Sequence, residues 1–215
     1  MTPTITFYYD VISPYSFLAF RQLELLQKQW PNVVVEYRPV QIFFIVKSAK
    51  NIAPGSVVAK LKWILKDLQR AASDLGISDL KMPSKLFQTR TALLILTALR
   101  NNPFYLIKAT SRIYDAIFIN AQFKDTFPAL KEILRDVLPA DVLNKAIESA
   151  QTESVAAMLQ QTNEEALSKG AFGLPTLIVR SQGGPDEFFF GNDRWHHIAQ
   201  VLRQPWPVNS IKSNL

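Results

Sequence analysis

The β-forming patterns of this chain stand at its two ends, and nearly everything between them has helical spacing. The sequence opens with an alternating run, Thr4-Ile5-Thr6-Phe7-Tyr8-Tyr9, in which Ile5, Phe7 and Tyr9 share one face of a strand. A tight turn follows, Asp10-Val11-Ile12-Ser13, and then an amphipathic run to Trp30. Ser13 is a favoured N-cap, and Pro14 suits the first helical position, where its missing N–H would have no partner anyway. Leu18, Leu23, Leu25, Leu26 and Trp30 give this helix an apolar side, and Pro31-Asn32 ends it. Val33 to Tyr37 reads as a second strand, and the helical crossover makes the pair parallel.

The far end returns to β. Thr176 to Val179 and Glu187 to Phe190 flank Gly183-Gly184-Pro185-Asp186, which predicts a hairpin. Asn192 or Asp193 then caps a last helix through about Leu202. Between the two ends, helical spacing covers Val57 to Leu75, Thr89 to Leu99, Phe104 to Ile119, Phe127 to Leu138, Val142 to Ala150 and Glu153 to Ser168. The joined order is βαβ, helical block, ββα. That is an α/β, thioredoxin-like fold with an all-helical domain inserted between its two halves. The expected parts are residues 1–54, 55–169 and 170–215.

Composition removes whole classes of chemistry. The chain is 48% hydrophobic and 20% charged, so it can bury a substantial core. It has no cysteine, which excludes disulfides, thiolate zinc sites and a cysteine nucleophile together. Its only two histidines, His196 and His197, are adjacent, so no histidine metal cage is expected. The net charge of +6 suits a small anionic ligand, whereas no helix shows the dense basic stripe of a nucleic-acid binder. The N-terminus has no signal-peptide pattern, and the longest plausible membrane candidate, Ala92 to Leu99, is too short to span a membrane. The C-terminal Ser213-Asn214-Leu215, with Lys212 before it, resembles a peroxisomal import tripeptide.

Three places could carry chemistry. Ser13 is either an ordinary cap or a group that holds a ligand's sulfur at a helix N-terminus, where unpaired N–H groups and the positive dipole end favour an anion. Lowering a thiol from about 8.5 to about 6.5 needs roughly 2.7 kcal/mol. One hydroxyl donor to an anion, about 1.5–3 kcal/mol, plus the helix end supplies that. The second place is Gly170-Ala171-Phe172-Gly173-Leu174-Pro175-Thr176. Pro175 is either a plain strand opener or a cis proline that offers the backbone of Leu174 to an extended peptide ligand. The third is Phe190-Gly191-Asn192-Asp193-Arg194, which is either a helix cap or a site for a ligand's carboxylate and ammonium groups.

Taken together, FYYDVISPYSF, the NIAPG loop with Lys60 beyond it, GAFGLPT and FFGNDR resemble the kappa-class glutathione transferases. That class is similar to the bacterial 2-hydroxychromene-2-carboxylate isomerases and, more remotely, to DsbA-like oxidoreductases. The resemblance covers essentially the whole chain. It implies that Ser13 binds the glutathione sulfur and that the backbone of Leu174, before Pro175, pairs with the cysteinyl unit. It implies that Asn192 and Asp193 hold the γ-glutamyl end, and that Asn51 and Lys60 lie near the glycyl end. It further implies glutathione as co-substrate, small electrophiles such as aryl halides or lipid peroxides, a homodimer, and a peroxisomal or mitochondrial location. Phe17 stands where the family commonly has Trp, and Asn192 where Ser is common. The rival expectations are a glutathione-dependent isomerase and a non-catalytic binder that uses the same groove.

Overall fold

The computed structural model describes residues 2–83 and 87–206. Four strands form one mixed sheet in the order β2-β1-β3-β4. They are β1 (Thr4–Tyr9), β2 (Val34–Pro39), β3 (Thr176–Arg180) and β4 (Asp186–Phe190). β1 and β2 run parallel with Ile5 opposite Val35, as the helical crossover requires. β3 lies antiparallel to β1 with Val179 opposite Ile5, and β4 closes the hairpin on β3.

The crossover between β1 and β2 is α1 (Pro14–Gln29). After β2 the chain runs through α2 (Ile42–Ser48), a short 3₁₀ turn at Pro54–Ser56, and α3 (Val58–Asp74). The remaining helices are α4 (Arg90–Ala98), α5 (Pro103–Phe118), α6 (Phe127–Leu134), α7 (Ala140–Ala150), α8 (Glu153–Ser168) and α9 (Trp195–Leu202). The helical block and the four strands therefore fall where the spacing predicts. α2 was not predicted, because its IFFIVKS sequence is β-branched and aromatic, a strand-like composition. α6 stops at Leu134, four residues short of the expected Leu138.

The sheet buries both faces. On one side Ile5, Phe7, Tyr9, Leu177 and Val179 join α1 and the helices α4 to α7 in a single continuous core. On the other, Tyr8 and Ile178 pack with Val40, Ile45 of α2 and Ala166 of α8. Alternation along each strand produces this split. Aromatic rings weld α1 to α5: Phe17 stacks on Phe118 with centroids 5.1 Å apart, and Tyr114 tilts against both Phe17 and Phe20. Tyr9 and Thr110 share a buried hydroxyl hydrogen bond of 2.7 Å. These contacts fix the N-terminal turn of α1 against both the sheet and the inserted helices.

α3 differs from the rest. Only Leu68 and Ala72 of it are buried, and Val58, Leu61, Trp63 and Leu65 stand exposed. Its link to the turn of α1 is a hydrogen bond of 2.8 Å from the Tyr15 hydroxyl to Asp67.

Candidate active site

The turn between β1 and α1 is built around Ser13. Its backbone is extended, Pro14 follows at the first helical position, and its Oγ accepts from the Ser16 N–H at 3.2 Å. The hydroxyl is thereby fixed as an acceptor on one side, which leaves its proton for another partner. Among the described residues that proton reaches only the Leu174 carbonyl, at 3.5 Å. A contact this long is weak, so the donor is only loosely engaged. At the same helix end, among the described residues, the Tyr15 N–H meets no internal acceptor.

Leu174 belongs to the loop that enters β3. The Leu174–Pro175 peptide is cis. Among the described residues the Leu174 N–H has no internal acceptor. Two segments 161 residues apart in sequence thus face each other with a hydroxyl donor on one side and a backbone N–H and C=O on the other. The Gly191 N–H donates to the Pro175 carbonyl at 3.1 Å, which brings the segment after β4 to the same loop. Gly191 holds a positive φ of 92°, a conformation that glycine adopts without penalty.

Asn51 joins this group from the chain between α2 and α3. Its Nδ2 donates to the Phe172 carbonyl at 2.9 Å, and its Oδ1 accepts from the Ile52 N–H at 2.8 Å. Ser13, Asn51, Leu174, Pro175 and the Gly191-Asn192 turn therefore share one rim. Asn192 is half-buried there. Asp193 is exposed, pairs with Arg194 at 3.3 Å, and bears electrostatically on Tyr15. Neither Asn192 nor Asp193 caps the last helix as predicted. The N-cap is Arg194, which makes no side-chain cap, because the Gly191 turn delays α9 until Trp195. Lys60 is exposed on α3, and among the described residues no hydrogen bond or ion pair joins it to the other expected site residues. It lies seven residues, about 10 Å along the helix, before Asp67, where α3 is pinned to Tyr15. His196 and His197 are exposed and tilted against each other.

The sequence motifs assign no role to one buried group at this turn. Asp10 is fully buried. Its Oδ1 accepts from the Ile12 N–H at 3.2 Å and the Thr89 hydroxyl at 2.7 Å, and its Oδ2 from the Ile42 N–H at 2.9 Å. Its carbonyl accepts from the Ser13 N–H at 3.1 Å and the Tyr114 hydroxyl at 3.4 Å. Burial pushes the Asp10 carboxyl up to about 6 against the pull of those donors. Burial also pushes the Tyr15 hydroxyl well above its usual range, with Asp67 adding to the effect. The available signal for Asp10 was its place directly after a strand and two residues before a turn N–H, the spacing of an Asx turn. Nothing local in sequence points to Thr89, which comes from the helical block. Among the described residues no cluster of acids and histidines could hold a metal ion, and no helix is long and apolar enough to cross a membrane.

Residues 4–203 match the DSBA-like thioredoxin domain. The chain belongs to that family. Within it, the chain is 29% identical to glutathione S-transferase kappa 1 of Caenorhabditis elegans over 96% of its own length and 93% of the relative's. The human glutathione S-transferase kappa 1 is 29% identical over 94% of this chain and 92% of the relative. The 2-hydroxychromene-2-carboxylate isomerase of Sphingobium xenophagum is 31% identical over 94% of this chain and 99% of the isomerase. In three dimensions, a solved 2-hydroxychromene-2-carboxylate isomerase superposes with a TM-score of 0.74, at 18% identity, over 93% of this chain and 94% of that one. The family match and this superposition establish the DsbA-like fold with its helical insertion between β2 and β3. The family's relatives at this level are enzymes of two kinds, kappa-class transferases and chromene carboxylate isomerases.

Proposed function

We propose that the protein is a glutathione transferase of kappa type, in which Ser13 stabilises the thiolate of bound glutathione. The observation that carries this reading is the weakly engaged Ser13 hydroxyl facing the Leu174 backbone across the rim. A thiolate seated at the end of α1 would take the Ser13 O–H and the open Tyr15 N–H as donors, and the helix end adds its partial positive charge. The cysteinyl unit would pair with the Leu174 N–H and C=O as an added strand does. Asn192 and Asp193 would hold the γ-glutamyl end. Asn51, bonded to the Phe172 carbonyl of the same loop, and Lys60 would lie toward the glycyl carboxylate. The thiolate sulfur then attacks an electrophilic carbon, forming a C–S bond as the C–halogen bond breaks and the halide leaves. Ser13 donates a hydrogen bond throughout and does not itself become a nucleophile.

The test is the ultraviolet absorbance of bound glutathione thiolate across pH, in wild type and Ser13→Ala. The expected result is thiolate at pH 7 in wild type and a titration raised by about one pH unit or more in the variant, since the lost donor is worth about 1.5–3 kcal/mol. A bound thiol that titrates as in free solution would leave only a non-catalytic groove. The isomerase relative, which aligns over 99% of its own length, supports a second reading. In it the same thiolate adds to an unsaturated chromene carboxylate and is later expelled, so assaying both substrates separates the two activities.

The exposed apolar side of α3, with Val58, Leu61 and Leu65 and the preceding Val57, supports a homodimer, to be checked by sedimentation. The Ser213-Asn214-Leu215 tail, which resembles an import tripeptide, lies outside the described residues. We propose a peroxisomal location on its sequence alone, and a chain lacking Leu215 that still reaches peroxisomes would refute it.

A further inference from the structure

We propose that Asp10 is a positioning residue that sets where the Ser13 hydroxyl points, by tying the turn of α1 to the starts of α2 and α4. Three helices begin around this one carboxylate. α1 follows it by way of Ile12, whose N–H donates to Oδ1, and Ser13, whose N–H donates to the Asp10 backbone carbonyl. α2 begins at Ile42, whose N–H donates to Oδ2, and its own N-cap residue Gln41 offers no side-chain cap. α4 begins after Thr89, whose hydroxyl donates to Asp10 and makes no cap bond of its own. The first N–H groups of α4 are taken instead by Asp125, through Thr91 and Ala92.

No cation pairs with Asp10 among the described residues. The charge that bears on it is Asp125, also an acid, and Tyr9 and Tyr114 are its titratable neighbours. A fully buried carboxylate held only by neutral donors is costly, and a core residue chosen for stability alone would more readily be apolar. What the carboxylate supplies is geometry, since it accepts from three chain segments at once. A carboxamide cannot replace it. Whichever way an Asn side chain turns, its NH₂ meets either the Ile12 or the Ile42 N–H. Through α2 the same tie reaches Asn51, whose N–H donates to Val46 of that helix. Asp10 thereby holds two parts of the proposed glutathione rim in register without touching the ligand.

The inference rests on the glutathione reading above, and the experiment separates the two. Bound glutathione is titrated by thiolate absorbance in wild type, Asp10→Asn, Thr89→Val and Thr89→Ser. The affinity for S-methylglutathione, which has no ionisable thiol, is measured alongside. A positioning role predicts that Asp10→Asn raises the thiol titration by about half a pH unit, a threefold change, or more. Thr89→Val moves it the same way by less, Thr89→Ser restores it, and S-methylglutathione binds within about threefold of wild type. Simple loss of a nearby negative charge predicts the opposite sign, a lower titration, and that result overturns the proposal. A melting temperature that falls while the titration stays put also overturns it, because a purely structural residue would do that. Should Asp10→Asn fail to fold, the Thr89 pair decides the same question with the carboxylate in place. If wild type itself shows no thiolate at neutral pH, the glutathione reading falls and this proposal falls with it. If wild type shows thiolate and the variants match it, only the role of Asp10 is lost.

Discussion

Urea unfolding at about pH 7.5 and again at about pH 5 tests the cost of burying Asp10. Its carboxyl is held at about 6 against an ordinary 3.8. Burial is the largest cause, and the hydrogen bonds from Ile42, Thr89 and Ile12 oppose it. The folded state therefore binds this proton more tightly than the unfolded chain does. Stability from that proton is fully present below about pH 4 and is lost as the pH rises through about 6. The whole swing, a little over two decades in proton affinity, corresponds to about 3 kcal/mol. Between about pH 7.5 and pH 5, roughly half of it should be recovered. With a urea slope of about 3 kcal/mol per molar, the midpoint should move up by about half a molar. Asp10→Asn has no proton to bind at that position, so its midpoint should lack this increment, and the difference between the two proteins cancels the other titrating groups. Asp186 is the acid shifted the other way, held low by hydrogen bonds from Lys169 and Arg180. Its contribution is present above its ordinary range and is lost as the pH falls below about 4, outside the window used. A wild-type midpoint that stays level or drops relative to Asp10→Asn on acidification would refute the argument.

Other residues give sharper, smaller tests. Phe17→Trp restores the residue common in the kappa class, but Phe17 is fully buried and stacked on Phe118, so the larger ring should cost about 1–3 kcal/mol by overpacking, read from the urea midpoint. Lys60→Gln should weaken glutathione binding by no more than about fivefold, with the loss shrinking at high salt, because Lys60 is exposed and would act through a screened surface charge. Tyr15→Phe removes the hydroxyl bond to Asp67 that pins α3, and amide exchange in α3 should quicken while exchange in α5 stays slow.

The elements were legible wherever local pattern and tertiary role agree. β1, α1 and the hairpin of β3 and β4 carry their own signals in alternation, caps and turn glycines. The same is true of the rim residues that come with short motifs, Ser13 before Pro14 and Gly191 before Asn192. α2 was not legible, because Asp10, 32 residues earlier in the chain, supplies the cap that its own sequence lacks. The start of α9 was misplaced for the reverse reason. Asn192 and Asp193 have capping chemistry, but the positive φ at Gly191 and its bond to Pro175 commit that segment to the rim instead. Asn51 could be named only from a resemblance, since its partner, the Phe172 carbonyl, is 121 residues away.

These long-range ties also bear on the proposed thiolate site, at a turn without cysteine. The start of α2 is occupied by Asp10, and that of α4 by Asp10 and Asp125. The end of α1 is different. Pro14 has no N–H to satisfy, Ser16 is capped by Ser13, and the Tyr15 N–H and the Ser13 proton remain for an incoming anion. With the neighbouring helix ends already neutralised from within, an anion drawn to this rim finds its donors at Ser13. A carboxylate of the protein's own placed there would close the site, whereas a neutral hydroxyl caps the helix and leaves the charge to be supplied by the ligand.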